Sequence, residues 1–531
     1  MTTGGIISER PGVREAGDGF GRLLRAELTK FRTVRGWVIG MLVAILATVL
    51  VGLLGPAGSS ISCGGPGGRC DHTPPTGPEG AAVHDGLYFV HRPLAGDGGI
   101  TVRVASLTGL YPPNGVLRAG QGAAGMKPGV QPWTKAGIIV KESTEQGSAY
   151  AAVMVTGAHG VRMQYNYTHD KAGRAGAVSA ASPRWLRLTR SGDALTGYDS
   201  ADGAHWNVIG TARLAGLSST VQAGLFATSP PYTVLTQSFG GSSSSGGPTQ
   251  GTAVFDQVGL QGRSPGGAWT GTEIGGAGGG PAGERLPKAG FQQTGNRFTL
   301  SGSGDIAPDV PGREAAGKIE NSLVGVFAGL IAVIVVATMF ITAEYRRGLI
   351  RTTLAASPRR GRALAAKAVV IGAVTFVTGL AAALIAIPLV ASVERAKGMF
   401  VYSVPPPTEL RVVAGTAALL AVTAVFALAV GTVLRRGAAA ITVVIAVIVL
   451  PYILMVASVL PAGAAEWLAR ITPAAAFAIQ QSMREYPQVT ASYTPADGYF
   501  PLAPWAGFAV LCGYTALALA LAVVVLRRRD A

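Results

Sequence analysis

Apolar residues along this chain fall into two regimes that differ in run length and in period. Six runs are apolar on every helical face: residues 37–54, 321–342, 366–392, 411–434, 438–460 and 505–526. A helix needs about 20 such residues to cross about 30 Å of hydrocarbon, and a soluble amphipathic helix would keep one face polar. Between the first and second runs the pattern shortens to period-two alternation, as in Ile100-Thr101-Val102-Arg103-Val104, Val161-Arg162-Met163-Gln164-Tyr165 and Trp185-Leu186-Arg187-Leu188. Gly, Asp and Asn turns separate these runs, a rhythm that predicts an antiparallel sandwich. The fold class expected is therefore mixed: a polytopic α-helical membrane domain of about six spans with an inserted antiparallel β-sandwich.

Composition shifts place the boundaries. Residues 1–36 form an N-terminal segment, 37–54 the first span, and 55–83 a Gly/Pro-rich tether. The sandwich is expected over 84–262, followed by a linker, 263–320, in which Phe298–Asp305 returns one last strand. The tracts 239–251 and 275–283 are Gly/Ser-rich and predict flexible loops. Five helices then fill 321–526, with a tail at 527–531. Within this region 461–504 carries Trp467 between Pro461, Pro473 and Pro487, which suits short interfacial or re-entrant helices, a partly apolar surface loop being the alternative. The run 37–54 reads as a retained span, because Leu54-Gly55-Pro56-Ala57-Gly58 offers no clean cleavage site and Ser60-Ile61-Ser62-Cys63 resembles a lipobox only loosely.

Charge then gives the spans a direction. The chain is only 14% charged but carries a net +16. About +4 of this lies in residues 56–318; the rest flanks the apolar runs. Arg22, Arg25, Lys30, Arg32 and Arg35 precede the first span, and Arg346, Arg347, Arg351, Arg359, Arg360, Arg362 and Lys367 run from the end of the second to the start of the third. Arg435 and Arg436 separate the fourth from the fifth, and Arg527, Arg528 and Arg529 follow the sixth. All four clusters fall on one side when the spans alternate, as the positive-inside rule requires. Both termini are therefore expected in the cytoplasm and residues 56–318 outside it, in a multi-pass protein of a bacterial plasma membrane. The basic balance reads as orientation and attraction to anionic lipid, and nucleic acid is not an expected partner.

Little in the chain suggests catalysis. Cys63 and Cys70, close together in the tether, would form a local disulfide outside the cytoplasm. Adjacent Asp71 and His72 make only a weak metal site, and no metal is expected. Cys512 reads as packing within the last span. Gly312-Arg313-Glu314-Ala315-Ala316-Gly317-Lys318 has P-loop spacing, but Ile319 stands where the magnesium-binding hydroxyl belongs, and the segment is placed outside. The chain is thus expected to be no enzyme and to hold no cofactor.

In the insertion, Trp133-Thr134-Lys135-Ala136-Gly137-Ile138-Ile139-Val140-Lys141-Glu142-Ser143 and Ser200-Ala201-Asp202-Gly203-Ala204-His205-Trp206 resemble laminin-G-like, concanavalin-like jelly-roll domains. The resemblance implies a hairpin closed by the Asp-Gly-x-x-Trp piece and a domain type used for glycan or protein recognition. Trp133, Tyr165, Tyr167, Trp185 and Trp206 are candidates for stacking on sugar rings, although strand aromatics more often belong to a core. The paired carboxylates of a glycosidase are missing.

Two further stretches carry the functional expectation. Leu23-Leu24-Arg25-Ala26-Glu27-Leu28-Thr29-Lys30-Phe31-Arg32 alternates basic and apolar positions at helical spacing, suiting a helix on the inner leaflet. Glu344-Tyr345-Arg346-Arg347-Gly348-Leu349-Ile350-Arg351 follows the second span. Together they resemble permease subunits of the type-two exporter class of ATP-binding-cassette (ABC) transporters. Ala26, Glu27, Lys30 and Arg32 match that family's interfacial helix, and Glu344, Arg346, Arg347 and Gly348 match its Glu-x-Arg-Arg-Gly loop. The resemblance implies coupling to an ABC ATPase through Glu344, Tyr345, Arg346, Arg347, Gly348 and Arg351, a second permease copy as partner, and export of an unknown cargo. Few ionisable residues lie within the spans, which argues against an ion-driven carrier and leans toward an apolar or amphipathic cargo. The large insertion departs from the family pattern. A membrane-anchored envelope sensor, its sandwich binding glycan or protein, is the rival reading.

Overall fold

A computed structural model describes residues 19–58, 73–113, 125–179, 181–238, 241–264, 267–275, 288–310, 316–348, 360–457, 459–491 and 493–528. Six helices among them are long and apolar enough to cross a membrane: Arg35–Pro56, Asn321–Arg346, Arg360–Ala396, Pro406–Leu434, Gly437–Val456 and Pro504–Arg528. A large antiparallel sheet domain is inserted between the first and second. The labels used below are α1 (Phe20–Thr33), α2 (Arg35–Gly58), α3 (Val326–Arg346), α4 (Arg360–Ala396), α5 (Pro406–Leu434), α6 (Gly437–Val456), α7 (Ala462–Ile471) and α8 (Pro504–Arg528).

Local chemistry explains the helix irregularities. α4 is 37 residues long, about 55 Å at 1.5 Å per residue, so it extends well past the hydrocarbon. Its basic first turn, with Arg360 and Arg362, extends the expected third span at its start. α6 passes through a π turn at Ile445–Val449, just before Pro451. Proline lacks the N–H that would bond four residues back and crowds that carbonyl, and a wider turn relieves both. The segment expected to hold interfacial or re-entrant helices contains α7 and a 3₁₀ stretch, Pro473–Gln480, all eight of whose residues are buried.

In the inserted domain, strands Lys135–Lys141 and Tyr150–Thr156 are buried on both faces. One face, with Ala136, Ile138, Val140, Val153 and Val155, packs against Val102, Leu186, Leu188, Phe255 and Phe298. The other, with Ile139, Tyr150 and Met154, is covered by Val83, Leu87, Tyr167, Ile274 and Ile306. A single strand, Leu87–Tyr111, runs through the sheet and pairs with Thr220–Thr228, Arg184–Ser191 and Gln250–Arg263 in turn. Its direction changes around Gly96, whose φ of +66° is one that glycine adopts without strain.

Two expectations need revision here. The stretch 263–320, expected as a linker with one strand, contributes Thr270–Ile274, Gly290–Thr294, Arg297–Gly302 and Ile306–Pro308 to the domain's ladders. The Gly/Ser tract after 239 is not all loop, since Gly241–Gly247 pairs with Tyr232–Ser238. Apart from Arg297–Gly302, where Phe298 and Leu300 alternate inward, backbone hydrogen bonds hold these strands without the apolar alternation that would announce them.

The domain is tied to the helices at its chain exits. Val83–Asp85 pairs with Ile306–Pro308, and Ala307 of that ladder packs with Val310 and Val489, the latter between the 3₁₀ stretch and α8. Asp309 accepts from Tyr402 Oη at 2.9 Å and lies 2.9 Å from His84 Nε2. Ala316–Gly317 pairs with Phe400–Val401, between α4 and α5.

Candidate functional site

On α1, Glu27, Lys30 and Phe31 share one face by their three- and four-residue spacing. On α3, Phe340 and Glu344 stand one turn apart, and α4 contributes Lys367. These residues meet. Lys367 Nζ donates to Glu27 Oε1 at 2.7 Å and to Glu344 Oε1 at 2.6 Å, and Lys30 also pairs with Glu344 Oε1. Glu27, Glu344 and Lys367 are buried, at 7%, 2% and 2% exposure.

Two acids and two bases cancel, so the cluster avoids the cost of an isolated buried charge. On one side it meets aromatic rings: Lys367 Nζ sits 5.3 Å from the Phe340 ring centre, and Phe340 packs edge-on against Trp37 and Phe31. Burial, with Lys367 as the next cause, pulls the Lys30 ammonium down to about 8, Glu27 opposing. Chemically the arrangement is a clamp. It fixes α1, the end of α3 and the start of α4 in one relative position, and holds no nucleophile or metal set.

Past Glu344 the helix ends in the open. Arg346, Arg347 and Gly348 are exposed, and Gly348 takes a left-handed φ of +66°, as a residue closing a helix C-terminus does. Tyr345 is half-buried, with the Arg435 guanidinium 5.3 Å from its ring centre, linking this end to the turn between α5 and α6. Arg32 is exposed on α1. Arg351, Cys63 and Cys70 lie outside the described residues. Sequence reasoning singled out Glu27, Lys30 and Glu344 separately but read Lys367 as an orientation charge. The signal available was its place inside the third apolar run, 366–392, rather than before it with the arginines.

The aromatic candidates of the inserted domain are dispersed. Tyr167 is fully buried and its hydroxyl donates to Asp85 Oδ2 at 2.8 Å, so it presents no face to a sugar. Trp133 is buried against His159, ring centres 4.0 Å apart, and is likewise no open platform. Tyr165 is half-buried and stacks on His169. Trp185 and Trp206 are half-buried around the Asp202-Gly203 turn, where Asp202 Oδ1 accepts from the N–H groups of Ala204 and His205. The Arg187 guanidinium lies 3.8 Å over the Trp206 ring. A side chain on Gly203 would strike the Trp185 ring, so this turn needs glycine for space as well as for its φ of +79°. Among the described residues no group of three or more His, Cys, Asp or Glu is placed to hold a metal ion.

No curated protein matches the chain. Solved structures similar to parts of it include a functionally unknown protein from Saccharomyces cerevisiae, at 16% identity over 34% of this chain and 76% of that one, with a TM-score of 0.21. Scytalido-glutamic peptidase with a transition-state analogue inhibitor matches at 8% identity over 41% and 98%, with a TM-score of 0.25. The GH43 BlXynB protein from Bacillus licheniformis matches at 18% identity over 27% and 24%, with a TM-score of 0.17. At such TM-scores these likenesses carry no weight for fold or function. The family model described as ABC-2 family transporter protein matches residues 161–531, which include Glu344, Lys367 and five of the six long apolar helices. With well over half its length matched, the chain belongs to the ABC-2 transporter family, as a multi-pass membrane protein.

Proposed function

We propose that the chain is the membrane-spanning permease subunit of an ABC exporter, driven by a separate cytoplasmic ATPase and working with a second permease copy. The observation that carries this reading is the buried cluster of Glu27, Lys30, Glu344 and Lys367 directly behind the exposed Arg346-Arg347-Gly348 turn. A push on that turn by a nucleotide-driven partner reaches Glu344 within one helical turn. The ion pairs then carry it into α1 and α4 together, so that the spans rock as a unit between two packed states. ATP and magnesium belong to the partner.

In this reading the plasma membrane holds the chain with both termini in the cytoplasm and residues 56–318 outside, as the distribution of Lys and Arg supports. The cargo is apolar or amphipathic. Glycan recognition by the concanavalin-like outer domain has weaker support, since Trp133 and Tyr167 are buried.

The test is co-purification of the full chain with an ABC ATPase, followed by transport-linked ATP hydrolysis with Glu344→Ala. The expected result is an ATPase that still binds while coupled hydrolysis falls about tenfold, the equivalent of about 1.4 kcal/mol. Failure of any ATPase to associate, or unchanged coupled hydrolysis, refutes the reading.

A further inference from the structure

Two cavities at the outer end of the spans share a wall. The larger, about 940 Å³, is polar and lies among the start of α5, α7, the residues after the 3₁₀ stretch and the start of α8. Its charged lining is Arg411, Arg470 and Arg484 with Glu466 and Glu485, one positive charge in surplus. The smaller, about 300 Å³, is mainly apolar, with Val51, Val324, Phe327, Tyr452, Ile453 and Val456 from α2, the approach to α3, and α6. Gln481, Pro495 and Phe500 line both.

The surroundings place this pair at a membrane boundary. Trp467 and Trp505, each 62% exposed, lie on α7 and α8, and exposed tryptophans collect where headgroups meet hydrocarbon. Val324 and Ile453, exposed at 54% and 42%, open the apolar cavity toward lipid.

The arginines differ in how they are committed. Arg411 is fixed by two backbone carbonyls, donating to Ile479 O at 2.9 Å and Gln481 O at 2.7 Å, which leaves other guanidinium donors for a ligand. Arg470 has a solvent-exposed pair with Glu466 at 3.3 Å and lies 5.8 Å over the Trp467 ring centre, contacts that hold it weakly. Arg484 has no hydrogen-bond or ion-pair partner among the described residues. A carboxylate also borders the apolar cavity: Glu320, which accepts from Ser482. Burial pushes its carboxyl up, against the pull of Lys318.

We propose that these adjoining cavities bind one amphiphile with an anionic, phosphate-type headgroup, its headgroup among the arginines and an acyl chain in the apolar slot. Planar guanidinium groups suit phosphate oxygens in two-pronged contacts. The site requires only the membrane boundary marked by Trp467 and Trp505, and stands whether or not an ATPase drives the chain.

The test uses the purified full chain in neutral detergent, counting lipids retained per chain by native mass spectrometry. The probes are dioleoylphosphatidylglycerol, dioleoylglycerol and inorganic phosphate. Phosphatidylglycerol is expected to be retained in preference to the uncharged diacylglycerol, with inorganic phosphate a poor competitor. Arg470→Gln with Arg484→Gln, both on exposed side chains, should weaken retention about tenfold with an unchanged melting temperature. Val324→Trp, filling the slot, should do the same. Equal retention of the two lipids overturns the proposal, as does full retention in the arginine variant. Loss confined to Arg22→Gln with Arg25→Gln on α1 would assign the lipid to that surface instead. Displacement by inorganic phosphate at equal concentration would leave a free-anion site with no role for the slot.

Discussion

Lys367 on α4 hydrogen-bonds Glu27 on α1 at 2.7 Å, across 340 positions of the chain. The same ammonium reaches Glu344 at 2.6 Å, so one buried cation holds the interfacial helix against the exposed turn at the end of the second span. Removing it would leave Glu27 and Glu344 with Lys30 as the one remaining base, and an unpaired buried charge typically costs about 3–5 kcal/mol. Lys367→Met should therefore lower the melting temperature of the purified chain strongly. Combining it with Glu27→Gln should restore part of the loss, because one charge then leaves with the other. A double variant no more stable than Lys367→Met alone would show that Glu27 and Lys367 are not energetically coupled.

Lys30 gives the same cluster a pH dependence. Its ammonium is pulled from the ordinary 10.5 down to about 8, chiefly by burial and then by Lys367. The folded chain therefore binds fewer protons at this site than the unfolded chain between about 8 and 10.5, and stability from it rises with pH across that window. Below about 8 the contribution is flat. Comparing wild type with Lys30→Met in thermal melts, the difference should move in favour of wild type from pH 8 to 10.5. A constant difference would show that Lys30 titrates normally.

The spans were legible because a run of that length, apolar on all faces, suits a bilayer and little else, and the acid at 344 stood out among arginines. The cluster itself was not legible. Glu27, Lys30, Glu344 and Lys367 lie on three helices, and nothing local in the chain says which helix faces which. Lys367 also looked like its arginine neighbours, whose purpose is orientation. In the inserted domain, alternation revealed strands such as Lys135–Lys141 but not Gly241–Gly247, whose pairing is purely a backbone matter. The arginine-lined cleft is assembled from α5, α7, α8 and loop residues spread over nearly a hundred positions, beyond the reach of spacing arguments.

The inserted domain depends on a second buried carboxylate. Asp85 Oδ2 accepts from Lys141 Nζ at 2.7 Å, Tyr167 Oη at 2.8 Å and Gly147 N at 2.9 Å, with the Lys141 and Asp85 side chains 0% and 1% exposed. Asp85→Ala strands the lysine and should destabilise the domain by about 3–5 kcal/mol. Limited proteolysis of the intact chain should then cut within residues 84–262 far faster than in wild type. Unchanged protection would mean that the ladder of Val83–Asp85 with Ile306–Pro308 holds without the ion pair.

Orientation makes an independent prediction. His205 is exposed on the outer domain and Arg32 is exposed on α1, at opposite sides of the membrane in the proposed topology. In intact cells a membrane-impermeant maleimide should label His205→Cys, and should reach Arg32→Cys only after permeabilisation. Labelling of Arg32→Cys without permeabilisation would reverse the topology.

The first and second spans meet through small residues in register. On α2, Gly40, Ala44, Thr48 and Gly52 recur every fourth position, so they line one face. Gly325 and Gly329, the same distance apart at the start of α3, pack on them. A Cβ on Gly325 would overlap the Thr48 carbonyl and lie 2.7 Å from Gly52 N; one on Gly329 would meet Thr48 Oγ1 and lie 2.9 Å from Ala44 O. In a bilayer, helices gain little by hiding apolar surface from each other, and such close approach supplies the attraction. Gly325→Ala strikes backbone on the partner helix, which cannot rotate away, whereas part of the Gly329→Ala clash falls on the Thr48 side chain, which can. Overpacking of this kind costs about 1–3 kcal/mol, so Gly325→Ala should lower the melting temperature in detergent more than Gly329→Ala does. It should also weaken disulfide trapping between cysteines placed at Gly40 and Val336, which meet further along the same interface. If Gly325→Ala melts with wild type and traps as efficiently, the two spans are not held by this contact.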